Sequence, residues 1–143
     1  MNAETILQKQ ICQYLKLQYP GVIFHSDFSA GLHLPIWLAV LRKKLNSCKG
    51  LPDLYIFKKK GNLSGLAIEL KKEGEKLYKK NGEFKTDHLK EQAEILSALR
   101  AENWVACFGI GFEKTKKIID IYLKLDDKNP KVILYGFECT EVK

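Results

Sequence analysis

Residues 53–70 decide the fold of this chain, and they read DLYIFKKKGNLSGLAIEL. Two apolar segments flank a Lys-Gly-Asn turn centred on Gly61, which is the pattern of an antiparallel β-hairpin. This turn pairs Asp53 with Glu69 across the two strands, since successive side chains alternate between the faces of a sheet. The opposite face of the hairpin is aliphatic and is expected to enter a core; it comprises Leu54, Ile56, Leu66 and Ile68.

The polar face of this hairpin predicts chemistry. Opposed carboxylates repel each other unless a cation or a proton lies between them, and Mg²⁺ prefers one or two carboxylates together with waters and phosphate oxygens. Lys71 follows Glu69 on the same face, where it can orient or deprotonate a water or stabilise charge on a phosphate. The alternative is that Asp53 caps its strand while Glu69 and Lys71 form an ordinary edge pair. The residues alone leave both interpretations open.

Positive charge is concentrated in the middle of the chain. Lys and Arg number 24 against 17 Asp and Glu, a formal net charge of +7. Residues 42–90 carry a net charge of +8 and the rest of the chain a net of −1. A basic segment in a neutral frame favours a nucleic-acid partner, because neutralisation of phosphates supplies most non-specific affinity. A lysine-rich solvated surface is the alternative.

The periodicity around the hairpin predicts further helices and strands. Apolar residues recur at helical spacing in four segments, which are residues 3–18, 36–45, 86–101 and 112–123. Strands are predicted at residues 22–25, 104–108 and 132–137, and a loop at 73–84. We expect Trp37 and Trp104 to lie in the core rather than to stack on bases. The order of elements predicts an α/β (α+β) fold, a mixed β-sheet flanked by helices, in a single domain over residues 1–143.

Composition and cysteine spacing exclude several classes of protein. No apolar run approaches the roughly 20 residues that span a bilayer, and the first five residues lack the features of a secretory signal. These observations predict a cytoplasmic protein without a membrane partner. The four cysteines are too far apart for a zinc motif; they are Cys12, Cys48, Cys107 and Cys139. Three of them lie within apolar patterns, which fits buried free thiols better than a disulfide scaffold.

Two short motifs in this order resemble a known family. Residues 50–53 (GLPD) and 67–71 (AIELK) resemble the Pro-Asp…(Asp/Glu)-x-Lys signature of restriction-endonuclease-like nucleases. More specifically, they are similar to the VRR-NUC group, the virus-type replication-repair nucleases, whose members carry a Gln in the next helix. Gln92 occupies that place here. The resemblance covers a core of about residues 50–123, to which the helix at 36–45 is an insertion.

The resemblance implies an activity and the residues that carry it. It implies a metal-dependent DNA endonuclease that hydrolyses phosphodiester bonds in replication, repair or recombination. Asp53 and Glu69 would hold Mg²⁺ or Mn²⁺, with the backbone carbonyl of Leu70 as a further ligand. Lys71 would assist the attacking water, and Gln92 would project toward the same site. An acidic residue on the first helix is common in the group, and Glu4 would serve through a bound water; its alternative role is that of a carboxylate at a helix N-terminus.

Further expectations concern the partners. Lysines around the hairpin and its following loop are expected to contact DNA; they are Lys58, Lys59, Lys60, Lys72, Lys76, Lys79 and Lys80. Small members of the group resemble Holliday junction resolvases in substrate, which implies branched or four-way junction DNA and a two-fold homodimer. A bacterial cell or a phage-infected host is the implied setting, and a helicase or other replication partner is left open. A non-catalytic nucleic-acid-binding module is the alternative function, and a scaffold protein is a third.

Overall fold

The structure is a computed structural model, and it describes residues 1–27 and 32–128. The strand predicted at 132–137 and Cys139 therefore lie outside the described residues. In chain order the described elements are α1 (Ala3–Gln18), β1 (Phe24–Ser26), α2 (Ile36–Leu45), β2 (Leu54–Ile56), β3 (Gly65–Lys71), α3 (Asp87–Ala101), β4 (Trp104–Ile110) and α4 (Gly111–Leu123). Within these residues no helix is long and apolar enough to cross a membrane.

The strands form one mixed sheet in the order β1-β2-β3-β4. The first three strands are antiparallel, and β4 runs parallel to β3 after the crossover through α3. The predicted hairpin register is confirmed, since Leu54 pairs with Ile68 and Ile56 pairs with Leu66. The structure thus confirms the predicted α+β fold with a mixed sheet flanked by helices.

The ends of the helices follow local signals, whereas β4 extends two residues beyond its predicted end and β1 starts later than predicted. The Asn2 side chain caps α1 by accepting from Thr5, and the Thr86 side chain caps α3 by accepting from Leu89. Strand β1 begins at Phe24, two residues later than predicted. The reason is that the amide of Val22 still closes the turn after α1 by donating to the carbonyl of Tyr19.

Helices cover both faces of the sheet, and this arrangement positions the hairpin. On one face α1 and α4 pack against the aliphatic side of the hairpin, to which they contribute the buried side chains of Ile11, Leu15, Ile119 and Tyr122. On the other face α3 packs against Ala67 and its neighbours on β4. Strand β3 is consequently buried along its whole length. Its odd-numbered residues face α3, so Glu69 and Lys71 lie beneath that helix.

Helix α2 stands apart from this packing because none of its residues is buried. Trp37 is 67% exposed, so the prediction that it belongs to the core is wrong. Trp104, in contrast, is half-buried and packs over Gly65, where an added Cβ would lie 2.5 Å from the indole ring. An ion pair of 2.8 Å between Arg42 and Asp27 joins α2 to the end of β1.

The described cysteines differ in burial. Cys107 on β4 is buried, as predicted, and Cys12 on α1 is half-buried. Cys48 is exposed, and it lies in the break after α2 rather than within an apolar pattern. Helix α2 itself contributes nothing to the core.

Candidate active site

Asp53 is held at the site by hydrogen bonds from both neighbouring strands. It directly precedes β2, and its backbone carbonyl accepts from the Ser26 hydroxyl and from the amide of Asp27, each at 3.0 Å. Its carboxylate oxygen Oδ2 accepts from the amide of Leu70 at 2.9 Å. Both the peptide and the side chain of Asp53 are therefore fixed against Glu69, the predicted opposite residue.

Glu69 lies at the centre of the site and is 4% exposed. Its Oε1 accepts from Lys71 Nζ at 3.3 Å and from Gln92 Nε2 at 2.5 Å. Gln92 comes from α3, so this contact joins the helix to the central strand. The amide oxygen of the same side chain, Gln92 Oε1, is buried and has no hydrogen-bond partner in the described part of the chain. The structure therefore brings Asp53, Glu69, Lys71 and Gln92 together.

The carboxyl groups of Asp53 and Glu69 are too close together for both to be ionised readily. Burial, together with the neighbouring charge of Asp53, raises the pKa of Glu69 to about 9, while Lys71 opposes the change. Burial also raises the pKa of Asp53, against the opposing effects of the Leu70 amide and of Lys71. The two side chains share a hydrogen bond. Without a cation, the pair therefore keeps a proton at neutral pH.

The donor set fits a hard divalent cation. A cation between Asp53 and Glu69 would replace the shared proton, and the unpartnered Oε1 of Gln92 adds a neutral oxygen beside them. The described residues contain no group of three or more His, Cys, Asp or Glu side chains suited to a metal. An ion here would therefore depend on two carboxylates supplemented by amide or backbone oxygens and water. The ligand role of the Leu70 carbonyl remains a prediction.

The site opens into a cleft of about 450 Å³. Glu4 lines this cleft from the start of α1, and its charge contributes to the raised pKa of Asp53. The structure thus places Glu4 near the carboxylate pair, while a role through water remains a prediction. His88 lines the cleft one helical turn before Gln92. His88 was not predicted from the sequence, although a spacing of four residues places His88 and Gln92 on one face of a helix.

The lysines predicted to contact DNA lie outside the cleft. Six of them are exposed, and two of these form ion pairs within the loop after β3, Lys72 with Glu75 and Lys79 with Glu83. Lys60 is only 8% exposed, and its backbone forms a bridge with Leu63 at the tip of the hairpin. Its prediction as a DNA contact does not fit this burial. The basic residues that line the cleft are Arg42, Lys43, Lys49 and Lys71.

Comparison with solved structures finds a protein of similar fold. No family model matches the chain, and no curated protein matches it. Its structure is similar to a solved structure named "VRR_NUC domain protein", with a TM-score of 0.59 and 25% sequence identity. The match covers 89% of this chain and 93% of that one. This likeness confirms the resemblance to the VRR-NUC group that the GLPD and AIELK motifs predict, and it identifies the fold as that of a nuclease-family domain.

Proposed function

We propose that this chain, whose fold is that of a VRR-NUC domain protein, is an Mg²⁺- or Mn²⁺-dependent endonuclease that hydrolyses phosphodiester bonds in DNA. The observation that carries the proposal is the convergence of Asp53, Glu69, Lys71 and Gln92 at the floor of one open cleft. Two opposed carboxylates are unfavourable beside phosphates unless a cation joins them. A module that only binds DNA has no use for such a pair, which favours the enzyme over that alternative.

The residues of the site have distinct parts in this hydrolysis. Asp53 and Glu69 hold the metal ion, which when bound supplies positive charge against the charge developing on the phosphate. The ammonium group of Lys71 lies beside Glu69 Oε1, to which it donates a hydrogen bond. From this position it can also hydrogen-bond the attacking water and the phosphate oxygens. Gln92 fixes the orientation of the Glu69 carboxylate through its amide group.

The substrate class and the assembly complete the proposal. We propose branched or four-way junction DNA as the substrate, in replication, repair or recombination. The described residues contain one such cleft per chain, and symmetric cutting of two strands requires two sites. A two-fold homodimer supplies both.

Cleavage of labelled DNA tests the function directly. The panel contains linear duplex, single strand, flap and four-way junction, each incubated with Mg²⁺, Mn²⁺ or EDTA. Asp53→Asn keeps an acceptor for the Leu70 amide but removes the charge, and we expect it to lower the cleavage rate at least about a hundredfold. Glu94→Gln, an exposed carboxylate on α3, is the matched control and should cut at the wild-type rate.

Two outcomes would contradict the proposal. Metal-dependent cutting by Asp53→Asn at the wild-type rate would contradict the assignment of this active site. Salt-dependent binding of every substrate without cutting, and with no dependence on Mg²⁺, would favour the non-catalytic binding module instead.

A further inference from the structure

The orientation of α2 is inverted relative to an ordinary surface helix. The residues that line the cleft from this helix and its C-terminal cap are Ala39, Arg42, Lys43 and Asn46. Their spacing along the chain places them on one face. The opposite face is largely apolar and exposed, with Trp37 at 67% and Leu45 at 74%. The basic face of α2 therefore borders the cleft of the site, and its side chains are also accessible to solvent.

The basic side chains on this wall are not equivalent. Arg42 is committed to Asp27 at 2.8 Å, and the amide of Asp27 donates to the carbonyl of Asp53. The ion pair thus ties α2 to the backbone that positions a site carboxylate. Lys43 and Lys49 line the same cleft, and neither forms an ion pair with any described residue. Two uncompensated cations consequently face the cleft that contains Asp53 and Glu69.

We propose that the inner face of α2, together with the segment after it that carries Lys49, is the phosphate-binding wall of this cleft. Lys43 and Lys49 bind backbone phosphates that flank the phosphate being hydrolysed, and the ion pair between Arg42 and Asp27 holds the wall in place. The proposal rests on the proposed function and names the part of the substrate that this wall recognises. A polyanion needs cations near a floor of carboxylates, and the lysines at 72–80 lie outside the cleft.

Adjacent lysines on opposite faces of α2 provide the test. Lys43 lines the cleft, whereas Lys44 lies on the other face of the helix. Lys43→Gln and Lys44→Gln remove the same charge from neighbouring positions of an exposed helix. Binding of labelled four-way junction and duplex DNA is measured between about 50 and 200 mM salt, where phosphate contacts dominate the salt dependence. An Asp53→Asn background prevents cutting, and thermal unfolding of each variant checks that the fold is intact.

We expect Lys43→Gln to weaken binding several-fold and to lower the slope of log affinity against log salt by about 0.9, the share of one phosphate contact. Lys44→Gln should change affinity less than about twofold and leave the slope unchanged. In the cleaving enzyme, Lys43→Gln should raise KM more than it lowers kcat, because a flanking contact contributes to binding of the ground state and the transition state alike.

The outcomes separate this proposal from the proposed function. If the two substitutions had equal effects on DNA binding, or if neither had an effect, the assignment of a phosphate-binding wall would be contradicted, even if the wild type cuts DNA. Absence of cutting by the wild type would contradict the nuclease, while a difference between Lys43 and Lys44 in the binding measurement would still support the wall.

Discussion

Glu69 shows how a single buried residue connects the fold to the site. Its side chain is 4% exposed and accepts hydrogen bonds from Lys71 and Gln92. A carboxylate buried beside Asp53 is unfavourable, and burial raises its pKa to about 9. Without metal, the native protein therefore binds a proton that the unfolded chain has already released at neutral pH.

This linkage predicts that the metal-free protein loses stability as the pH rises. The pKa of Glu69 is raised in the folded state, so its contribution is fully present below about 4.5 and is lost as the pH rises toward about 9. In urea unfolding with EDTA, we expect the wild type to lose more than about 1.4 kcal/mol between pH 5 and pH 9, the equivalent of one pKa unit.

Two comparisons isolate Glu69 in this experiment. Glu69→Gln cannot ionise and should flatten the pH dependence, whereas the exposed Glu94→Gln should retain it. Mg²⁺ added at pH 8 should stabilise the wild type more than Glu69→Gln, because a bound cation replaces the proton. A pH dependence in Glu69→Gln equal to that of the wild type would contradict the assignment.

Some residues of the site could be predicted from the sequence, and others could not. Asp53, Glu69 and Lys71 follow from the register of one hairpin, because alternation and pairing in a β-hairpin are local. Gln92 came from the family resemblance, since nothing local shows which strand a helix will cover. The burial of Lys60 was missed because a lysine in a charged turn normally remains solvated.

At the scale of elements, the start of α4 depends on a residue from another segment. Gly111, the first residue of α4, has φ +75°, and an added Cβ would collide with the carboxylate of Glu73. Glu73 lies in the loop after β3, so its negative charge is placed beside the N-terminus of α4, where it is stabilising. The parallel pairing of β3 with β4 brings these two chain segments together.

This arrangement predicts that two glycine substitutions differ in cost. Gly82 also has positive φ, +86°, but an added Cβ there meets nothing within 4 Å. Gly82→Ala should therefore cost only the left-handed strain, about 1–2 kcal/mol. Gly111→Ala should cost more by about 0.3–1 kcal/mol, because it also displaces Glu73 from the helix end.

Urea unfolding measures both costs, and a second background tests the cause. When Glu73→Ala is already present, Gly111→Ala and Gly82→Ala should cost the same free energy of unfolding. A difference that persists in this background would show that Glu73 is not the reason.

The whole molecule raises the question of assembly. One cleft with the carboxylate pair is described per chain of 16.4 kDa, and the proposed cutting of two strands needs two of them. We expect light scattering to give twice the mass of the chain at micromolar concentration, both alone and bound to one four-way junction in EDTA. Dilution should dissociate such a dimer reversibly. The mass of a single chain under both conditions would contradict the homodimer.

The sequence by itself determined the hairpin, its register, the bounds of α1 and α2, and the capped start of α3. These features depend on contacts between residues close together in the chain, such as Thr86 with Leu89, or on the period of apolar residues. The family resemblance and the basic middle of the chain were also evident at that level. The sequence did not show which face of α2 lies toward the cleft.

Only the tertiary structure decided which surfaces meet across the sheet. Covering β3 on both faces buried Glu69 and raised its pKa, and packing α3 on that strand delivered Gln92. The inversion of α2, with Trp37 outside and Lys43 in the cleft, contradicts what burial of apolar residues alone would favour. The physical reason is that periodicity shows which residues share a face, whereas the direction of that face is set by neighbours far away in the sequence.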